Sequence, residues 1–243
     1  MPTHLLATLL PAVLAAFGLA AVSAVAGFGG GVLLLPVFIA AFGLRVAVPM
    51  LTLTQLVSNG SRVWVNRHEL RWTLIGWFAV GAVPCAVVGA LLLTRAPLAA
   101  LRRLLGAFLV AVVVWRRVRP HPDAPPDPAF AGIGAASGLG SALLGSVGPF
   151  TAPFFLAAGL TRGAYIGTEA ASALTMHLAK LGAYGAGRLL TREVLLLGVA
   201  LTPATLLGTV VGRRIVGRLS DRVFVALVEV GLVAAGVLFL VGA

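Results

Sequence analysis

The chain has 243 residues, of which 60% are hydrophobic and only 10% are charged, and its mean hydropathy is +1.06. Apolar runs near the roughly 20-residue length of a transmembrane helix follow one another from end to end, which excludes a soluble globular domain and predicts an all-α protein that crosses a membrane several times. The formal net charge of +11 does not indicate nucleic-acid binding, because the arginines are scattered at the ends of the apolar runs, where they fit contacts to lipid headgroups.

Three of the apolar runs are too short to span a bilayer: Val32–Phe42, Ala129–Leu144 and Phe150–Leu160. The number of crossings is about seven to nine, depending on how these short runs are threaded. Arginines fall in successive loops, so the excess of positive charge does not orient the chain. The runs of spanning length are Leu5–Ala26, Val46–Trp64, Trp72–Leu93, Leu98–Trp115, Ala164–Leu181, Val194–Val211 and Val223–Val241.

Glycine clusters interrupt the apolar sequence at two places, Ala26–Gly31 and Gly138–Pro149. A backbone that leaves the helix inside hydrocarbon must satisfy its peptide groups elsewhere, so matched breaks predict a buried binding site. The half-helices that follow would present N–H groups to an anion. The alternative is that these glycines allow helices to pack closely, as the pair Gly134 and Gly138 would.

A polar, proline-rich loop at residues 116–128 divides the chain into two similar halves. We therefore predict a first transmembrane repeat at residues 1–115 and a second at residues 129–243. The relation between the two repeats, parallel or inverted, is left open. Equivalent landmarks keep a separation of 116 to 119 residues, and the pairs are Pro36 and Pro153, Ala47 and Ala164, Thr52 and Thr168, and Gly89 and Gly208.

The helix after the first break carries a polar stripe formed by Thr52, Gln55, Asn59 and Arg62. Spacings of three, four and three residues place these side chains on one face of a helix. They would line a cavity. The alternatives are hydrogen bonds to neighbouring helices, and an Arg62 that extends to the membrane interface.

The matching helix of the second half carries Thr168 and Ser172 at similar spacing, together with three ionisable residues, Glu169, His177 and Lys180. A carboxylate inside a membrane costs roughly 2.5 to 3.5 kcal/mol on insertion scales, so Glu169 needs a partner or a purpose. It would carry the coupling proton, or else cap unwound backbone or pair with an arginine of another helix. His177 would shuttle protons or bind an anion, or else be a packing residue.

Both glycine clusters resemble those of the TauE/SafE family, membrane transporters of the sulfite-exporter or toluene-sulfonate-uptake type. The resemblance rests on Ala26–Pro36, on the degenerate copy Gly140–Pro153 and on Ala164–Thr168. It implies a bacterial inner-membrane carrier of sulfite, sulfonates or thiosulfate that is driven by the proton gradient. The chain departs from the family pattern at Ser146–Pro149, where a glycine triplet is usual, and at Glu169, where serine is common.

The sequence therefore predicts a multi-pass secondary transporter of the inner (cytoplasmic) membrane that holds a small sulfur-containing anion between the two breaks. Its partners would be the anionic solute and the lipid bilayer, with a homodimer left open and no nucleic acid. Glu169 and His177 would couple transport to protons. The predicted substrate-binding residues are Gly27, Gly29, Gly30, Gly31, Thr52, Gln55, Asn59, Arg62, Ser146, Gly148, Thr168, Ser172 and Lys180.

No metal site or other cofactor is expected, because Cys85 is the single cysteine and no second histidine stands at ligand spacing. The alternative functions are an intramembrane enzyme that uses Glu169, His177 and Lys180 as acid and base, and a channel or structural membrane subunit. Glu229, inside the last helix, is predicted to pair with an arginine of another helix.

Overall fold

The structure, a computed structural model, describes residues 13–14, 17–18, 31–95, 97–118 and 123–216, and short pieces of the C-terminal segment at 229–230, 233–234, 236–237 and 239–241. All regular structure in these residues is helical, which confirms the all-α prediction. The helices are α1 (Gly31–Phe42), α2 (Leu44–Val65), α3 (Trp72–Arg95), α4 (Leu98–Val118), α5 (Ala129–Leu144), α6 (Gly148–Ala157), α7 (Arg162–Ala186) and α8 (Arg192–Val216).

Several helices extend past the predicted boundaries. Helix α4 continues to Val118 instead of ending at Trp115, so the first three residues of the predicted polar loop, 116–118, are helical. Basic residues are favourable in the last turn of a helix, where they face the negative end of its dipole. Helix α7 extends past the predicted Ala164–Leu181 run at both ends.

Helix α3 is, among the described residues, the one that is long and apolar enough to cross a bilayer by length and composition. It has 24 residues, and its most apolar stretch has a mean hydropathy of 2.1. It coincides with the predicted span Trp72–Leu93.

Helices α3 and α5 pack with their backbones in contact. A Cβ atom added at Gly134 would overlap the carbonyl oxygen of Phe78, and one added at Gly138 would overlap that of Ala82. On the α3 side, a Cβ atom at Gly81 would overlap the carbonyl oxygen of Ala131. These glycines permit a close helix–helix approach, which confirms the packing alternative for Gly134 and Gly138.

We expect Gly134→Ala to lower the free energy of unfolding by about 1 to 3 kcal/mol, because the added methyl group must push α3 and α5 apart. Gly132→Ala is the matched control, since Gly132 lies on the same helix with nothing within 4 Å of the added Cβ atom. That substitution should be neutral or stabilise the helix by up to about 1 kcal/mol. Denaturant or thermal unfolding of the two purified variants measures both effects, and equal stabilities would contradict this packing.

The second glycine cluster breaks the helix, as predicted for Gly145–Pro149. Helix α5 ends at Leu144, Gly145 adopts the left-handed conformation with φ of +83°, and α6 begins at Gly148. The ring of Phe130 at the start of α5 lies 4.9 Å from that of Phe155 near the end of α6. The chain therefore turns at the break, and α5 and α6 contact each other through these two rings.

The first glycine cluster lies mostly outside the described residues, since only Gly31 is included and it is the first residue of α1. The predicted roles of Gly27, Gly29 and Gly30 in substrate binding therefore stay predictions.

Helices α2 and α7, which hold equivalent positions in the two predicted repeats, run in opposite directions. The end of α2 lies beside the start of α7, because the Thr161 hydroxyl donates to the carboxylate of Glu69 (3.2 Å) in the loop after α2. At the other end, Leu51 of α2 belongs to the same apolar cluster as Tyr184 of α7. If the two halves are repeats, they are inverted.

Glu229 forms the inter-helix ion pair that was predicted for it. Both Nε and Nη2 of Arg117 donate to its Oε2 atom, at 3.0 and 2.7 Å. This contact joins the end of α4 to the C-terminal segment.

Candidate functional site

A cavity lies where α2, α7 and the break between α5 and α6 meet. Its empty volume is about 270 Å³, including its opening, and its interior is so narrow that it admits about one water molecule. Seven of the predicted site residues line it: Gln55, Asn59, Arg62, Ser146, Gly148, Glu169 and His177. Val147, Thr151, Ala173 and Met176 complete the lining.

Arg62 joins the two polar stripes that were predicted separately. Its Nη1 atom lies 3.3 Å from Oε2 of Glu169, and its Nη2 atom donates to the side-chain oxygen of Asn59. Asn59 stands one turn earlier on α2, so the i, i+3 spacing seen in the sequence brings these two side chains together. Glu169 therefore has the arginine partner that the sequence offered as an alternative for it.

Several buried polar atoms around the cavity have no hydrogen-bond partner among the described residues. They are Nε2 of Gln55, Nε of Arg62, and both ring nitrogens of His177. A buried polar atom without a partner typically costs about 1 to 3 kcal/mol, and native proteins contain few of them. The cavity therefore has unused hydrogen-bonding capacity at three of its lining residues.

The cavity opens at its Arg62 end. The side chain of Arg62 is 23% exposed and that of Glu169 is 10% exposed, whereas His177 is fully buried. The ion pair thus lies between the solvent and the deeper imidazole.

The break also places the N-terminal end of α6 at the cavity. Helix α6 begins at Gly148, and no side chain caps this end. Pro149 has no N–H group, and those of Phe150 and Thr151 donate to the carbonyl of Val147 (2.9 and 3.2 Å), which leaves the N–H of Gly148 at the positive end of the helix dipole. Gly148 and the preceding Ser146 and Val147 line the cavity, so this positive end faces its interior.

Four other predicted site residues that the structure describes, Thr52, Thr168, Ser172 and Lys180, lie outside the cavity lining. Thr52 donates to the carbonyl of Val48 on its own helix (2.9 Å), and Thr168 accepts the N–H of Arg71 (3.0 Å). Both hydroxyls thus make local or inter-helix contacts, which is the alternative weighed for the stripe. Ser172 is buried, and its hydroxyl has no partner among the described residues.

Lys180 binds the end of α5 instead of the cavity. Its Nζ atom lies 2.7 Å from the hydroxyl oxygen of Ser141 and 3.4 Å from the carbonyl oxygen of the same residue. The structure therefore does not bring together the three residues that an intramembrane enzyme would use: Glu169 and His177 line the cavity, and Lys180 does not. The described residues contain no group of three or more histidine, cysteine, aspartate or glutamate side chains placed to hold a metal ion.

Four lining residues were absent from the predicted site. Ala173 and Met176 follow Glu169 by four and seven residues on α7, so helical spacing alone would have found them. Val147 directly precedes α6, and Thr151 lies in its first turn. Whether these two side chains line the cavity depends on the exact residue at which α6 begins, and the sequence alone did not predict that residue.

A family model described as sulfite exporter TauE/SafE matches residues 12–239 of the chain. The match covers most of both predicted halves and all residues of the cavity lining. Neither the curated proteins nor the solved structures gave a significant match.

Proposed function

The chain belongs to the TauE/SafE family of sulfite exporters, and from that premise we propose that it is a secondary transporter which moves a small sulfur oxyanion across the cytoplasmic membrane. The substrate class is sulfite, a sulfonate or thiosulfate. One observation carries the proposal: the cavity gathers hydrogen-bond donors that have no acceptor.

The chemistry of the unpartnered atoms favours an anion. Nε2 of Gln55 and Nε of Arg62 are donors only, and a neutral imidazole such as that of His177 has one donor nitrogen. An oxyanion supplies several acceptor oxygens in a small volume. Charge-assisted hydrogen bonds of this kind are about twice as strong as those between neutral groups.

The start of α6 supports the same choice. A helix N-terminus favours negative charge through its free N–H groups and its dipole. Broken helices of secondary transporters commonly point such ends at anionic substrate groups. Here Gly148 and Arg62 both line the cavity, so an anion inside it would meet positive potential from both α6 and α2.

The narrow interior fits one stage of a transport cycle. A cavity with room for about one water molecule must widen before a sulfur oxyanion enters. The lining residues belong to both predicted repeats, and a rocking of one repeat against the other would widen and expose the site on alternate sides.

We propose that Glu169 couples the anion to a proton by exchange at Arg62. In the present state Glu169 holds the guanidinium of Arg62 at 3.3 Å. An incoming anion takes this place, and the displaced carboxylate then takes up a proton, so that one proton accompanies one anion. The other titratable groups near Glu169 are Tyr165 and His177, both on α7.

Flux in proteoliposomes tests the proposed function. Purified protein is reconstituted, and uptake of labelled sulfite, taurine and thiosulfate is measured with and without an imposed pH gradient. We expect saturable flux of at least one of these anions and no flux in empty liposomes. Absence of flux for all three, in both conditions, would contradict the proposal.

A further inference from the structure

Lys180 is unusual both because of its residue type and because of its position. It is the only lysine among the 18 basic residues of the chain, and all the others are arginines. It is also fully buried. A buried ammonium group normally pairs with a carboxylate, yet no acidic side chain forms an ion pair with Lys180 in the part of the chain that the structure describes.

The partners of Lys180 are oxygens at the broken end of α5. Its Nζ atom contacts both the hydroxyl and the carbonyl oxygen of Ser141, in the last turn before the break. One turn further along α7, the hydroxyl of Tyr184 donates to the carbonyl of Ala142 (2.7 Å). Two side chains of α7 thus hold two carbonyls of the last turn of α5.

A cation stabilises the C-terminal end of a half-helix inside a membrane. The last carbonyls of a helix have acceptor capacity to spare, and together they carry about half a negative charge. In α5 the carbonyl of Ser141 accepts the N–H of Gly145 (2.9 Å), and Lys180 is its second donor. In secondary transporters with broken helices, such carbonyl ends commonly coordinate the coupling cation. At the end of α5, an ammonium group stands where such a cation would bind.

We propose that the ammonium group of Lys180 is a tethered cation, which fills a monovalent-cation site at the end of α5 and makes a cation from solution unnecessary. Lysine suits this role better than arginine, because its charge is compact and its three donors can point at separate oxygens, whereas guanidinium is a planar fork. Lys180 is therefore a positioning residue, which holds the break while the start of α6 faces the anion.

Removal of the side chain should leave a site that a small cation can occupy. Lys180→Ala removes the ammonium and most of its stem, and Leu178→Ala is the control, since Leu178 lies two residues away on α7 with 60% exposure. Thermal unfolding of the wild type and both variants is measured in choline chloride, sodium chloride and methylammonium chloride at equal ionic strength.

We expect methylammonium or sodium to raise the unfolding temperature of Lys180→Ala by about 3 °C or more at concentrations well above the dissociation constant. The wild type and Leu178→Ala should not respond. A folded Lys180→Ala protein that responds to neither cation, or a wild type that responds equally, would overturn the proposal.

A second measurement needs no variant. Anion flux by the wild type should be the same in sodium-free and sodium-containing media, and a dependence on sodium would overturn the proposal even if Lys180→Ala fails to fold. This flux measurement rests on the proposed function, whereas the thermal measurement does not. A chain that carries no sulfur anion but whose Lys180→Ala variant binds methylammonium would thus refute the transport function alone.

Discussion

Arg62→Gln is expected to lower the rate of anion transport at limiting substrate by about 100-fold, because the loss of a partly buried charge that faces an anion costs about 3 kcal/mol. Arg62 is the cationic side chain of the described cavity lining. Arg67→Gln is the matched control. Arg67 lies in the exposed turn after α2, where its guanidinium stacks over Trp64, and its loss should change the rate by less than about threefold.

The double variant Arg62→Gln with Glu169→Gln separates binding from folding. Arg62→Gln alone leaves the Glu169 carboxylate buried without its partner, which destabilises a protein for reasons unrelated to transport. The double variant removes both charges and should recover stability without recovering flux. If the double variant transports anions at the wild-type rate, Arg62 serves only to hold Glu169, and the proposed binding role is wrong.

Glu169→Gln is expected to separate anion transport from the proton gradient. The amide is close in size to the carboxylate but takes up no proton, so an imposed pH gradient should no longer change the steady-state accumulation of the anion. The freed Arg62 should bind the anion about threefold to tenfold more tightly, since the competing carboxylate is gone. Counterflow of labelled anion and accumulation under a pH gradient measure the two effects in the same liposomes.

Glu193→Gln provides the control for this variant. Glu193 lies exposed in the first turn of α8, so its neutralisation should leave the response to the pH gradient unchanged. A Glu169→Gln protein that accumulates anion under a pH gradient as the wild type does would place the coupling proton elsewhere. Weaker anion binding in this variant would contradict the exchange at Arg62.

Local pattern predicted the helices and much of the cavity. The spacing of Gln55, Asn59 and Arg62 placed them on one face of α2 because helical periodicity is a property of the chain itself. The break at Gly145 was readable because glycine and proline act on the backbone where they stand. These features depend on neighbours in sequence, and the structure has them where the sequence indicated.

The pairings across helices were not predictable in the same way. The partner of Glu169 is 107 residues away, and nothing local to either position selects Arg62 over another arginine. Lys180 shares a helix with Glu169 and carries the charge expected of an anion site, yet it faces α5, because one helical face differs from the next by only a fraction of a turn. Such choices depend on how helices pack, which periodicity does not encode.

The glycines show how one residue type serves two purposes. Gly134 and Gly138 bring α5 against α3, whereas Gly145 takes a backbone conformation that other residues rarely adopt. Glycines of both kinds lie within about a dozen residues of each other in the sequence. The sequence indicated both alternatives, and only the neighbouring helix determines which applies at each position.

The position of a bound anion tests the central claim most directly. Selenite resembles sulfite and scatters X-rays anomalously, so crystals of the protein grown with selenite would locate the anion in a difference map. We predict a single strong peak inside the cavity, with its oxygens within about 3.5 Å of nitrogen atoms of Arg62 and His177. A peak at another position in the chain, with the cavity empty, would contradict the account.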